Sequence, residues 1–198
     1  MKKETKWILD LSHSEISFKV RHLMISYVKG VFKNFEANVT TFDESFNGAK
    51  IEFSMETSSI DTGDKKRDEH LKSADFFDAS KYKHISLVSK SFEKTGNEKI
   101  YIFTGDLTIK EITKPIKLDA EFGGIVKDPY GNEKAGFNLS GNINRKDWNL
   151  SWNTALEKGG VMVSEDVFIN CDIQLIKVKE PAMKVTNAKE LESDLAEI

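Results

Sequence analysis

The chain has 198 residues, 39% of them hydrophobic and 31% charged, with a net charge of −3; this is the composition of a globular protein, not of a disordered or fibrous one. The mildly acidic balance leaves no electrostatic footprint for nucleic acid, and no Lys/Arg cluster is interleaved with aromatics. Cys171 is the only cysteine, which excludes an intrachain disulfide and any cysteine-paired metal or redox site.

The basic start, MKKETK, is followed by neither an apolar h-region nor a small-residue cleavage site, so a cytoplasmic location is expected. No stretch approaches the roughly 18 consecutive apolar residues of a spanning helix, and stable membrane insertion is not expected. Beyond the first few residues, period-two alternation dominates the chain. Trp7 to Leu9 reads as a short strand, and Ile16, Phe18 and Val20 then alternate with Ser17, Lys19 and Arg21. Val31 to Thr41 continues the pattern; after the Asn47-Gly48 turn, Ile51, Phe53 and Met55 alternate with Glu52, Ser54 and Glu56.

Turn chemistry from Ser58 to Gly63 precedes the one strong helical signal, in which Asp64 serves as N-cap and the helix runs to Ser73. Asp68 stands four residues before Lys72, a supporting ion pair. Leu71, Ala74, Phe76 and Phe77 supply apolar surface that a solvated helix does not need, so the segment is expected to lie inward over an apolar opening or core edge. Further strands follow at Ile85 and Leu87, Tyr101 to Ile109, Ile116 to Phe122, Ala135 to Ile143, and Val167 to Leu175. Turn signals at Gly96-Asn97, 128–132 and Gly159-Gly160 punctuate them.

Eight or nine strands joined by short turns imply antiparallel pairing, in a barrel or a sandwich. Cys171 fits as a small core residue in an alternating run. Gly105 and Gly141, on inward faces rich in Phe, mark either a lined cavity or a strand bend in a packed core. After Pro181 the alternation stops, dividing the chain into a domain at 1–179 and an acidic tail at 180–198.

Catalytic motifs are absent: no GxSxG, P-loop, GxGxxG or HExxH occurs. His13, His22, His70 and His84 lack metal-ligand spacing, and a structural role is the simpler reading; no metal or cofactor is assigned. Arg67 and Asp68 read most simply as a solvated pair. Arg145, Asp147 and Asn149, beside Trp148 and Trp152, form either a polar rim around an aromatic mouth or a hairpin turn.

Five segments in order, DLSHSEISFKVRH, GVFKNFEANVTTFD, SIDTGDKKRDEHLKSADFFD, GDLTIKEITKPIKL and INRKDWNL, together resemble the YceI-like family over about residues 6–178. The resemblance implies a lipocalin-like, extended antiparallel β-barrel whose apolar pore binds polyisoprenoid, isoprenoid quinone or related long-chain amphiphiles. His22 matches the family's histidine after the first long strand; Arg67, Asp68, His70 and Leu71 match its RDxHL helix, and Phe76-Phe77 the apolar pair beyond. Two departures stand out. Tyr82-Lys83 replaces the common Tyr-Pro, which should relax a loop, and Trp148-Asn149 replaces Phe-Gly, which should reshape the mouth. Relatives are often exported, a property not carried over to this chain.

The expected fold is therefore an all-β, eight-stranded lipocalin-like barrel with a short helix covering one end. The expected function is non-enzymatic binding, sequestration or transport of a long-chain isoprenoid or other lipid. Strand phase and helix position nominate Phe18, Val20, Phe53, Met55, Leu71, Phe76, Phe77, Leu87, Phe103, Leu107, Phe122, Phe137, Leu139 and Ile173 as ligand-lining residues. His22, Arg67, Asp68, His70 and Arg145 are the head-group candidates. The alternatives are an enzyme acting on a bound lipid or haem-like ligand through the His/Arg/Asp set, and a solid-core interaction module. A homodimer is compatible with the sequence.

Overall fold

A computed structural model describes residues 4–43, 45–155 and 162–179; the expected tail, 180–198, lies outside the described residues. Eleven strand segments are hydrogen-bonded in one antiparallel sheet: β1 (Thr5–Leu9), β2 (Glu15–His22), β3 (Ser26–Phe32), β4 (Phe35–Thr41), β5 (Lys50–Glu56), β6 (Ile60–Asp61), β7 (His84–Lys94), β8 (Ile100–Ile109), β9 (Ile112–Lys127), β10 (Glu133–Asn144) and β11 (Val163–Lys177). The single α-helix among the described residues, α1 (Lys65–Lys72), follows β6.

Eleven segments make an eight-stranded barrel because three of the long strands are interrupted. β1 and β2 lie end to end along β11, Trp7–Leu9 facing Leu175–Lys177 and Glu15–His22 facing Val163–Asp172. β3 and β4 follow them as a second broken strand, and β5 and β6 as a third. The ladder then runs β5-β7-β8-β9-β10-β11 and closes back on β1. Closure resolves the choice between barrel and sandwich. Pro115 is tolerated in β9 because that stretch pairs only with β8, while β10 joins β9 further along, from Asp119 onward.

Burial follows the alternation. In β8 Tyr101, Phe103, Gly105, Leu107 and Ile109 are buried while the residues between them are partly exposed. Ile116, Leu118 and Ala120 do the same in β9. Gly105 and Gly141 serve close packing: a Cβ on Gly105 would stand 2.6 Å from both the Phe103 ring and the Val88 carbonyl, and one on Gly141 would stand 2.4 Å from Leu118. Neighbouring apolar side chains lie across both glycines.

One end is sealed. Phe46 enters from the loop between β4 and β5 at φ 59, a left-handed conformation unusual for a bulky residue. Its ring packs 4.9 Å from Trp7 and 5.0 Å from Phe137. Phe92 stacks on Tyr101 at 4.9 Å, and Phe122 on Phe137 at 4.9 Å, completing an aromatic floor.

The break between β1 and β2 is pinned by Asp10, which is buried and receives a hydrogen bond from Lys134 Nζ at 2.7 Å. Ser12 and His13 also contact its carboxylate, at 2.8 and 3.0 Å. The Lys134 bond first, then those of Ser12 and His13, hold the Asp10 carboxyl well below the ordinary 3.8 against the opposing effect of burial. A depressed pKa means that the stabilisation is complete above 3.8 and disappears as the pH falls through the folded-state value beneath it. Asp10→Asn should lower the unfolding free energy at neutral pH by about 1.5–3 kcal/mol. Urea titrations of both proteins should show that gap narrowing in acid, whereas a pH-independent gap would contradict this account.

Candidate functional site

Above the aromatic floor the barrel is not filled. A cavity of about 530 Å³ runs from Phe46, Phe92 and Phe103 to the end formed by His22, Val163, Arg67 and His70. Its size falls within the roughly 300–1,000 Å³ of small-molecule sites. The inward faces of the strands supply most of the wall, and all but one of the fourteen apolar residues nominated from strand phase and helix position lie on it. Phe122 is the exception. It belongs to the floor, its ring 5.7 Å from Phe46 and 6.1 Å from Tyr101, and does not line the cavity.

Polar lining residues are few and nearly uniform in sign. Apart from Ser17 they are His22, Lys66, Arg67, His70 and Arg145, and no acidic side chain lines the cavity among the described residues. Asp68 departs from expectation. It is buried and turned to Thr62, accepting from its backbone N–H at 2.9 Å and its hydroxyl at 2.6 Å. Arg67 holds the same residue, donating from Nε to Thr62 Oγ1 at 2.7 Å and from Nη2 to Thr62 O at 2.9 Å. The pair is thus a clasp that fixes the helix to the strand end, not a solvated pair. With Asp68 engaged, Lys72 pairs with Glu69 at 3.5 Å in place of the expected i,i+4 partner.

The helix begins as its sequence dictates, with the Asp64 carboxylate accepting from Lys66 N at 2.9 Å and Arg67 N at 3.2 Å. It ends at Lys72, and the chain folds back through Phe77 N to Leu71 O and Ala79 N to Lys72 O. That turn carries Phe76 and Phe77 onto the cavity; Ala74, expected to face inward, is exposed. The stretch at Tyr82-Lys83 is held rather than relaxed, by Tyr82 N to Asp78 O and Thr57 N to Lys83 O.

Opposite the helix lies the segment after β10. It is no hairpin: a 3-10 turn, Arg145–Trp148, leads to Asn149 in the left-handed region at φ 57, where Asn is among the better tolerated non-glycine residues. Trp148 is buried and donates its indole N–H to Leu107 O at 3.1 Å. Arg145 is buried as well, and donates to the carbonyls of Ser164 at 2.9 Å, Leu150 and Val163. Burial holds Arg145 below the ordinary arginine range, opposed by Glu165, without approaching neutrality at physiological pH. Trp152 meets His70 edge-on at 4.7 Å and Phe76 at 5.3 Å, joining the two sides of the mouth. His70 also contacts Asp75 at 3.1 Å.

The remaining candidates disperse. His13 belongs to the Asp10 cluster and His84 is exposed at the start of β7. No group of three or more His, Cys, Asp or Glu is placed to hold a metal among the described residues, and no described helix is long and apolar enough to cross a membrane. Burial pushes the Cys171 thiol up to about 12, leaving it without nucleophilic character. Wall residues not nominated from the sequence include Phe32, Phe46, Phe92, Trp152 and Met162. Phe32 is accessible through its β3 phase, whereas Trp152 and Met162 lie outside any periodic run.

Known proteins share this architecture. The family model for the YceI-like domain matches residues 7–175. A UPF0312 protein of Staphylococcus aureus is 40% identical over 164 residues, 82% of this chain and 92% of that protein. The crystal structure of a Campylobacter jejuni YCEI protein superposes with a TM-score of 0.69 at 35% identity, covering 87% of this chain and 97% of the other. A Saccharophagus degradans domain, described as polyisoprenoid binding and implicated in plant cell wall breakdown, shares the fold with a TM-score of 0.64 at 12% identity over 87% of this chain and 98% of that one. The match along nearly the whole barrel shows that the chain belongs to the YceI-like family.

Proposed function

We propose that this protein binds and carries a long-chain amphiphile, a polyisoprenoid or isoprenoid quinone, with its apolar chain in the barrel and its head group at the mouth. The observation carrying this reading is the 530 Å³ cavity whose wall, among the described residues, is apolar except for Ser17 and the basic or imidazole side chains of His22, Lys66, Arg67, His70 and Arg145. Each 100 Å² of ligand surface removed from water contributes about 2.5 kcal/mol, so affinity requires no covalent chemistry. Histidine and cationic side chains suit a head group rich in hydrogen-bond acceptors, such as a quinone carbonyl or a phosphate. The S. degradans domain's described ligand class is consistent with this reading. An acid/base enzyme has less support, because Asp68 is engaged by Thr62 instead of facing the cavity.

Solvent extraction and native mass spectrometry of the purified protein should recover a long-chain amphiphile in stoichiometric amount; an empty barrel that binds no added isoprenoid would refute the proposal. Phe103 is 1% exposed and lines the cavity. Phe103→Leu should therefore preserve the fold while weakening isoprenoid-probe binding by about 1 kcal/mol, roughly fivefold in Kd. Phe103→Asp should abolish binding or folding, because an unpaired carboxylate would face an apolar interior.

The helix and its return turn are the natural gate, since few elements pack on them while the strands are locked in the ladder. Phe76→Ala with Phe77→Ala should speed release of a fluorescent isoprenoid analogue by at least about tenfold, given roughly 1.5–3 kcal/mol for each buried apolar side chain. Stopped-flow measurement on a stably folded double variant decides this; unchanged release would locate ligand entry elsewhere.

A further inference from the structure

Two hairpins project at the open end with opposite chemistry: a two-residue turn joins Ile109 to Ile112, and a three-residue loop joins His22 to Ser26. The β8–β9 turn places Lys110 and Glu111 in the left-handed region at φ 51 and φ 64 and carries two charged side chains. The β2–β3 turn places Leu23 and Met24 there at φ 50 and φ 60, followed by Ile25. Asn or Gly would adopt these angles at lower cost. Instead, the tip is strained and apolar, and it is not buried: Ile25 is 84% exposed and Met24 49%. The barrel's packing gives no return for either cost.

The outer face beneath the tip is cationic and aromatic. Arg21 lies 5.4 Å from the Tyr27 ring, and Lys19 lies 5.3 Å from Phe168 and 5.5 Å from Tyr27. Lys29 is the cross-strand neighbour of Lys19. No ion pair joins these three cations to a carboxylate among the described residues, although the chain as a whole is acidic. The tip adjoins the cavity directly: His22 at its base lines the cavity, and Leu23 N donates to the carbonyl of Met162, another wall residue, at 2.8 Å.

We propose that the Leu23–Ile25 tip, with Lys19, Arg21 and Lys29, docks the open end of the barrel on an anionic phospholipid bilayer. The three apolar side chains enter the boundary between head groups and acyl chains, the cations face lipid phosphates, and Tyr27 and Phe168 lie at interfacial depth. A three-residue tip is too small to supply the roughly 1,200 Å² of a stable protein interface, which favours the bilayer over a protein partner. Docking stands on the tip's own chemistry; only its purpose, passing an amphiphile between bilayer and cavity, rests on the proposed function.

Co-sedimentation with phosphatidylcholine vesicles, with and without phosphatidylglycerol, tests the docking. The protein should partition onto the anionic vesicles and be released by high salt. Ile25→Asp, at an exposed site, should reduce partitioning at least tenfold, and Lys19→Gln with Lys29→Gln by on the order of 30-fold at low salt. Leu23→Asn with Met24→Gly should raise the thermal midpoint by relieving strain and still lose vesicle binding. Failure of the wild type to bind anionic vesicles, or undiminished binding by the tip variants, overturns the proposal. So does a dimer dissolved by Ile25→Asp in the absence of vesicle binding, which would make the tip a self-association site. Lipid extraction from the same preparations separates the two readings: a lipid-free barrel that still docks refutes the carrier alone, and a loaded barrel that ignores vesicles refutes the docking alone.

Discussion

Everything in this molecule depends on closure of the backbone ladder along β11, whose one edge is shared by β1 and β2. A sandwich with these apolar faces would collapse until side chains met. A closed eight-stranded barrel cannot, because its radius is set by strand number, tilt and stagger. The interior can therefore hold more space than its side chains fill, and the cavity persists without a rigid side-chain core around it. The cluster at Asp10 and Lys134 matters for the same reason, since it ties the break between β1 and β2 across β11 to β10.

The two ends of the barrel solve opposite problems. The floor is made of rings in mutual contact, with Phe46 driven into it from a left-handed turn, and contributes stability through packing. The mouth is closed by a short helix held through one residue, Thr62, by the Arg67 and Asp68 side chains. Aromatic contacts among His70, Phe76 and Trp152 complete that closure. A closure made of side chains opens more readily than a strand ladder.

Charge is distributed with the same asymmetry. Carboxylates around the mouth are engaged in structure: Asp64 caps the helix, Asp68 holds Thr62 and Asp61 pairs with Lys33. What remains toward the cavity is basic or imidazole, and what remains on the β2–β3 face is cationic. An acidic chain thus presents positive charge at the mouth of its barrel.

Much of this architecture is legible in the sequence alone. Alternation in Tyr101–Ile109 determined which residues face inward, because a strand's two-residue period maps sequence parity directly onto faces. Asp64 marked the helix start because capping is local chemistry, and the ordered motifs carried the family. Other features depended on contacts between residues far apart in the chain. Phe122 and Phe103 share the inward pattern, but only the barrel's stagger decided that one supports the floor and the other lines the cavity. Asp68 stands at ion-pair spacing from Lys72, yet Thr62 took it because burial rewards a fully bonded carboxylate more than a surface pair. Phe46 and Trp152 lie outside periodic runs, so no parity rule reached them. Sequence by itself determined the strand faces and the helix cap; tertiary structure decided strand order, closure, depth and which charges face the cavity, because those follow from three-dimensional register and not from local spacing.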